Sequence, residues 1–237
     1  GNPVSSLIMH MGALFIMLLE ILYDILLFFS NLKFERLFLL IKEVYYSGYK
    51  SITITLMSGW FVGMVLGLQG YNTLERFGSV TMLGSVVALS LLRELAPVLT
   101  AILFVARAGS GMSAEIGLMK ATEQIDAMEL MAVNPVYRIL MPKFVGGIIS
   151  VPLLTALFNV SGIFGGYFVG VVLLKLDSGA FWSQMQSSVQ FHEDILNGII
   201  KSCVFGVFVT LIALYQGIVA KPTAEGISSA TTKTVVF

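Results

Sequence analysis

Charge is scarce in this chain. Its 237 residues include only 14 Lys and Arg and 14 Asp and Glu, 12% in all, with a formal net charge of zero. Soluble domains carry about a quarter of their residues charged, and without a basic field a nucleic-acid partner has no electrostatic footprint here. Cysteine is nearly absent, and Cys203 alone excludes an intrachain disulfide or a Cys-cluster metal centre. The two histidines, His10 and His192, lie far apart without an HExxH-like context, so no metal site is expected. No Gly-Lys-Ser/Thr follows Gly109 and Gly111, which removes the phosphate-loop reading of RAGSG. With no Ser-His pair either, an intramembrane enzyme has little to stand on.

What fills the chain instead is hydrocarbon. Hydrophobic residues make up 57% and mean hydropathy is +0.89, which marks an all-α integral membrane protein. Leu7 to Ser30 is apolar but carries Glu20 and Asp24 one helical turn apart, and no Lys or Arg precedes Lys33. A signal peptide would begin with a positive region, so a helix lying in the membrane interface is expected, with a true span as the alternative. Lys33, Arg36, Lys42 and Lys50 then mark a basic polar connection, closing an amino-terminal part of residues 1–50. The remainder, residues 51–237, forms the membrane part.

Four complete spans are expected there. Ser51 to Leu74 has no charge over the roughly 20 residues a bilayer requires. It carries Gly59, Gly63 and Gly67 at GxxxG spacing, a smooth face for close helix packing within one subunit or between two. Val80 to Ala106 is interrupted by Arg93, Glu94 and Pro97. Charges within a span usually face a cavity or partner, and Pro97, lacking an N–H, leaves the Arg93 carbonyl without its intrahelical donor. Phe144 to Leu174 is uncharged and longer than an upright span needs, with Pro152 as a bend and a second glycine stripe at Gly162, Gly166 and Gly170. Lys175 to Asp194 reads as a polar excursion, an interfacial helix with an aromatic anchor at Phe181 and Trp182. Ile195 to Ala220 contains Lys201, which either pairs with Glu94 or snorkels to the interface. Lys221 to Thr234 reads as a polar tail.

The segment between the second and third spans concentrates charge. Ala114 to Pro135 contains Glu115, Lys120, Glu123, Asp126 and Glu129. Leu118, Ala121, Ile125, Met128 and Ala132 form an apolar seam at helical spacing, so one amphipathic helix is expected. Ile116, Met119 and Leu130 project from the charged half beside Gln124, and a face mixing charge with large apolar groups suits a docking partner. With the amino terminus inside, ten basic residues lie in the proposed cytoplasmic segments against two, Arg76 and Lys175, outside. This positive-inside bias predicts that the charged helix is cytoplasmic, where ATP is.

The runs GMVLGLQGY, ALSLLRELAPV, RAGSGMSAEIGLMKATEQIDAMELMAVNP and GISSATTKT together resemble the MlaE family, permease subunits of bacterial ABC transporters that move phospholipid between the membranes of the Gram-negative envelope. The resemblance runs from about Val44 to the end. It implies an inner-membrane homodimer working with an MlaF-like ATPase that holds ATP and Mg, an MlaB-like STAS protein and an MlaD-like MCE hexamer, with no cofactor in this chain. It further implies that Glu115 to Met131 form the helix that couples to the ATPase. Arg93, Glu94 and Lys201 would lie near the lipid path, with Leu66, Leu68 and Leu74 accommodating acyl chains. Family members have an interfacial first helix and five spans, so a fifth span is expected beyond Phe237 and a trimmed start before Gly1. A secondary transporter or channel using Glu94 is the alternative from another class, but it leaves the docking helix unexplained.

Overall fold

A computed structural model of the chain describes residues 12–23 and 34–236, and among them every regular element is helical. Four helical runs are long and apolar enough to cross a membrane: Phe38–Arg76, Val80–Ala121, Val136–Leu173 and Phe191–Val219. Each begins or ends beyond the limits expected from charge-free length. At the first, the expected polar connection through Lys42 and Lys50 is helix. Apolar Phe38 to Ile41 start the run, and the π-type turn Tyr45–Tyr49 carries it across YYSGY. The individual helices are α1 Gly12–Tyr23, α2 Phe34–Val44, α3 Lys50–Arg76, α4 Leu83–Ser90, α5 Ala96–Phe104, α6 Ser110–Ala121, α7 Gln124–Leu130, α8 Met141–Tyr167, α9 Ser178–Ser188, α10 Leu196–Val219 and α11 Ala224–Val236. The rest of the expected Leu7 to Ser30 helix, Asp24 included, lies outside the described residues.

The chain divides into two compact units. The first comprises Gly1–Tyr49, Phe104–Ser150 and Gly206–Phe237. Its core is Ile116, Leu140, Phe144, Leu211, Leu214 and neighbours, to which α1 contributes Met17 and Ile21. Leu14 and Leu18 flank that contact, so α1 presents a 14-17-18-21 stripe inward. Phe15, Ile16, Leu19, Leu22 and Tyr23 are exposed on its other side, an apolar surface suited to a membrane interface. The expected polar tail is instead α11, which packs on α6. A Cβ added at Gly117 would lie 3.1 Å from Ile227, so the missing side chain is what admits the second helix.

The second unit comprises Lys50–Leu103 and Val151–Phe205. Here the two glycine stripes meet each other. A Cβ on Gly63 would collide with the Gly162 carbonyl, one on Gly67 would lie 3.1 Å from the Gly166 carbonyl oxygen, and one on Gly59 would strike Ser161. Gly170 sits against Leu83. The stripes therefore form an intrachain crossing of α3 and α8, with backbones close enough for dispersion to act without intervening side chains. Leu83, Val87, Leu91, Phe158 and Phe181 form the core. The expected interfacial excursion is thus a packed helix, α9. Asp177 caps it by accepting the Ala180 N–H at 2.7 Å. Phe181 is buried against α4, while Ser85 of α4 hydrogen-bonds Ser188 at 2.8 Å and donates to the Gln184 carbonyl at 2.9 Å.

Candidate functional site: paired charges and a docking helix

Arg93 and Glu94 lie in the π-type turn Leu91–Leu95, just before Pro97. Proline cannot donate to the Arg93 carbonyl, and the structure supplies another donor. Lys201 Nζ donates to Arg93 O at 2.8 Å and to Glu94 Oε1 at 2.8 Å. Pairing with Glu94, rather than snorkelling, is therefore the observed arrangement. Arg93 turns to a residue that the sequence reading passed over: its Nε donates to Asp194 Oδ1 at 2.5 Å, while Asp194 Oδ2 accepts the Gln190 N–H at 2.7 Å. By sequence, Asp194 is the last residue of the expected polar excursion. It is in fact near the start of the run Phe191–Val219, seven residues and two turns before Lys201, and so on nearly the same face. That spacing was the available signal.

Four charges of net zero thus form two cross-helix pairs. Their exposure is uneven: Asp194 is 0% exposed, whereas the side chains of Arg93, Lys201 and Glu94 are 48%, 42% and 71% exposed. In water, a pair as open as Lys201 and Glu94 would contribute about 0–1 kcal/mol. On a span, an open charge is costly unless it faces water, a partner or a ligand. The three leucines of the expected acyl path are not gathered on one surface: Leu66 and Leu74 are half-buried against the Leu83 and Val87 core, while Leu68 points outward. Positions 66 and 68 are about 200° apart on a helix, so their shared motif does not make a shared wall.

The segment between the second and third spans is not one helix. α6 ends at Ala121, Glu123 is left-handed with φ 58°, and α7 begins at Gln124; Ala132, also at φ 58°, follows α7. The Thr122 N–H and Oγ1 both donate to the Leu118 carbonyl at 2.9 Å, which closes the last α-helical turn before the break. The break rotates the faces. Ile116 is buried and Met119 packs on the core, both expected outside, whereas Leu118, expected inside, is exposed. Ile125 and Met128 of α7 do face the core.

The charged residues divide accordingly. Lys120 Nζ donates to the Ile218 carbonyl at 2.6 Å. Glu115 accepts from Lys143 at 2.8 Å, and Glu43 lies 3.5 Å from the same ammonium. Lys143 is buried, so this triad ties α2, α6 and α8 together at a point that no spacing argument marked. Glu123, Gln124, Asp126 and Glu129 remain exposed, beside Leu130 at 89% and Met131 at 67%. The outward surface of α7 is therefore acidic with an apolar tip.

An all-helical, multi-pass membrane chain with ion pairs on its apolar helices and a mixed acidic and apolar helix between spans has the make-up of a transport permease. The family described as Permease MlaE matches residues 40–237, and the chain belongs to that family. It is 57% identical over 198 residues to the Haemophilus influenzae protein named intermembrane phospholipid transport system permease protein MlaE, covering 84% of this chain and 76% of that one. It is 36% identical to a probable ABC transporter permease protein of Rickettsia bellii, over 84% of this chain and 76% of the relative. A protein of the same description from a Synechocystis strain is 35% identical, over 80% and 72%.

Proposed function

We propose that this chain is the membrane-spanning subunit of an ABC transporter that moves phospholipid between the inner and outer membranes of a Gram-negative envelope. ATP and Mg are held by a separate MlaF-like ATPase, and this chain performs no catalysis. The name and 57% identity of the Haemophilus influenzae relative support the lipid substrate. The observation that carries the mechanism is the cluster of partly exposed charges at Arg93, Glu94 and Lys201 on apolar spans. Hydrocarbon is a poor environment for them. A polar enclosure completed by a second copy of the chain is a good one, and the guanidinium of Arg93 offers a phosphate head group a charged donor there.

The outward face of α7 is the docking surface for the ATPase: three carboxylates beside an apolar tip suit a partner with a basic rim around an apolar groove. The basic-residue bias puts this face and the amino terminus in the cytoplasm, with the chain in the inner membrane. MlaB-like and MlaD-like subunits complete the assembly in the same reading. Co-purification of the full assembly, extraction of bound lipid and measurement of ATPase activity test it together. A double charge reversal at Glu123 and Asp126 is expected to release the ATPase while leaving bound phospholipid in the permease. Intact association in that variant contradicts the docking assignment, and absence of phospholipid in the wild-type extract contradicts the substrate.

A further inference from the structure

The second unit contains a cavity of about 490 Å³, apart from the residues assigned so far. Its α8 wall is the stripe Pro152, Ala156, Asn159 and Ile163, and its α10 wall includes Ile199 and Ser202. The α8 set follows helical i, i+4, i+7 spacing, and Ile195, Ile199 and Ser202 do the same along the run Phe191–Val219, so each run turns one continuous face inward. Lys201 lies about 100° from Ser202 and about 200° from Ile199, on another face of α10. Leu66, Leu68, Leu74 and the four paired charges do not line the cavity. It is a separate place from the proposed path.

Its chemistry is almost wholly hydrocarbon. The hydroxyls of Thr155 and Ser202 donate to their own helix, to Val151 O and Ile199 O at 2.8 Å each, and need no ligand. Asn159 Oδ1 differs: it is buried without a hydrogen-bond partner. That oxygen has no surface open to the cavity, whereas the amide nitrogen is open, so the site suits an occupant that is mainly CH₂ and presents an acceptor at one point. Water fits poorly, because an ordered water needs about 2–4 polar partners and apolar cavities stay dry. A protein helix fits poorly too, since at a diameter of about 10 Å and a pitch of about 5.4 Å one turn alone fills roughly 420 Å³. A single extended hydrocarbon chain fits in both girth and polarity, and the volume is within the usual range of about 300–1,000 Å³ for ligand sites. The Asn159 N–H is the donor that the ester carbonyl at the head of such a chain would accept.

We propose that this cavity seats one acyl chain of a bilayer phospholipid, with the chain's ester carbonyl accepting an N–H from Asn159, as a resident lipid rather than cargo. The assignment rests on the chain spanning a bilayer and not on its transporting lipid. Photolabelling tests it with the full chain in phosphatidylethanolamine vesicles, using trace phosphatidylethanolamine that carries a diazirine on one ester-linked acyl chain. Adducts are expected to concentrate on peptides of residues 152–163 and 185–202, above those on the exposed α3 face around Phe61 and Val65. Ala156→Trp is expected to lower the cavity adducts by roughly tenfold, as loss of about two buried CH₂ groups would, while the α3 adducts persist and report an intact fold.

Asn159→Leu is expected to abolish a preference for the ester-linked probe over an ether-linked one. Cavity labelling no higher than on α3, or unchanged by Ala156→Trp and by a second filling variant, Ile199→Phe, overturns the proposal. Equal labelling of the wild type by ester and ether probes overturns the Asn159 contact. Loss of cavity labelling when irradiation follows ATP-driven turnover with the ATPase makes the occupant cargo and overturns its resident status. Because labelling requires neither ATP nor transport, its failure leaves the permease reading standing.

Discussion

Replacing Asp194 with Ala removes two hydrogen bonds accepted by a fully buried carboxylate. One is the Arg93 Nε donation, charged at both ends; the other is the Gln190 N–H. A hydrogen bond to a charged group contributes about 1.5–3 kcal/mol, and a buried donor left unpaired costs about 1–3 kcal/mol. Arg93 is half-exposed and can recover water, so the first figure belongs at its lower end and the sum is about 2–4 kcal/mol. At roughly 2–4 °C per kcal/mol for a chain of this size, thermal unfolding in detergent should shift down by roughly 5–15 °C. Asp194→Asn keeps an acceptor of the same shape and should lose about half as much. A double-mutant cycle with Arg93→Met isolates the pair and should return a coupling of about 1 kcal/mol or more. A coupling indistinguishable from zero, with Ala and Asn equally tolerated, refutes the assignment of Asp194 as the anchor of Arg93.

The α3 and α8 crossing makes a matched contrast: Gly63→Ala collides with the Gly162 carbonyl and should destabilise by about 1–3 kcal/mol or more. Gly111→Ala, in helix α6 with open space around it, should be neutral or stabilising by up to about 1 kcal/mol in the same melting assay. Lys143→Met leaves Glu115 and Glu43 facing each other without their cation and should lower stability by about 1–3 kcal/mol, with partial recovery when Glu115→Gln is added. Leu130→Ala should weaken binding of the ATPase by at least about 1 kcal/mol in a pull-down titration while leaving the melting temperature unchanged, since Leu130 is exposed on α7.

Features that depend on composition along one helix were readable from residues alone. Charge-free length located the four spans, GxxxG spacing marked the faces where α3 and α8 touch, and Pro97 pointed to the Arg93 carbonyl that Lys201 meets. Features that depend on which helix comes alongside were not. Asp194 looks like loop because it sits at a helix start, and only the arrival of Arg93 from another helix gives it a role. The triad of Glu43, Glu115 and Lys143 joins three segments far apart in sequence. The break at Glu123 was hidden for another reason: a left-handed backbone is uncommon for Glu, so the heptad-like seam was extended straight through it. One lost turn then placed Leu118 outside and Ile116 inside. Leu66, Leu68 and Leu74 share a motif without sharing a surface, because neighbours in sequence point to different sides of a helix.

The central claim is that the charges on the spans serve ATP-driven lipid movement. Phospholipid transfer between donor and acceptor vesicles, by the purified permease reconstituted with its ATPase and accessory subunits, tests it most directly. Transfer should require ATP and the ATPase, and should fall by at least about tenfold, about 1.4 kcal/mol in the barrier, in the Glu94→Gln, Lys201→Met double variant with its assembly intact. Transfer that continues without the ATPase, or at an undiminished rate in that variant, contradicts the account.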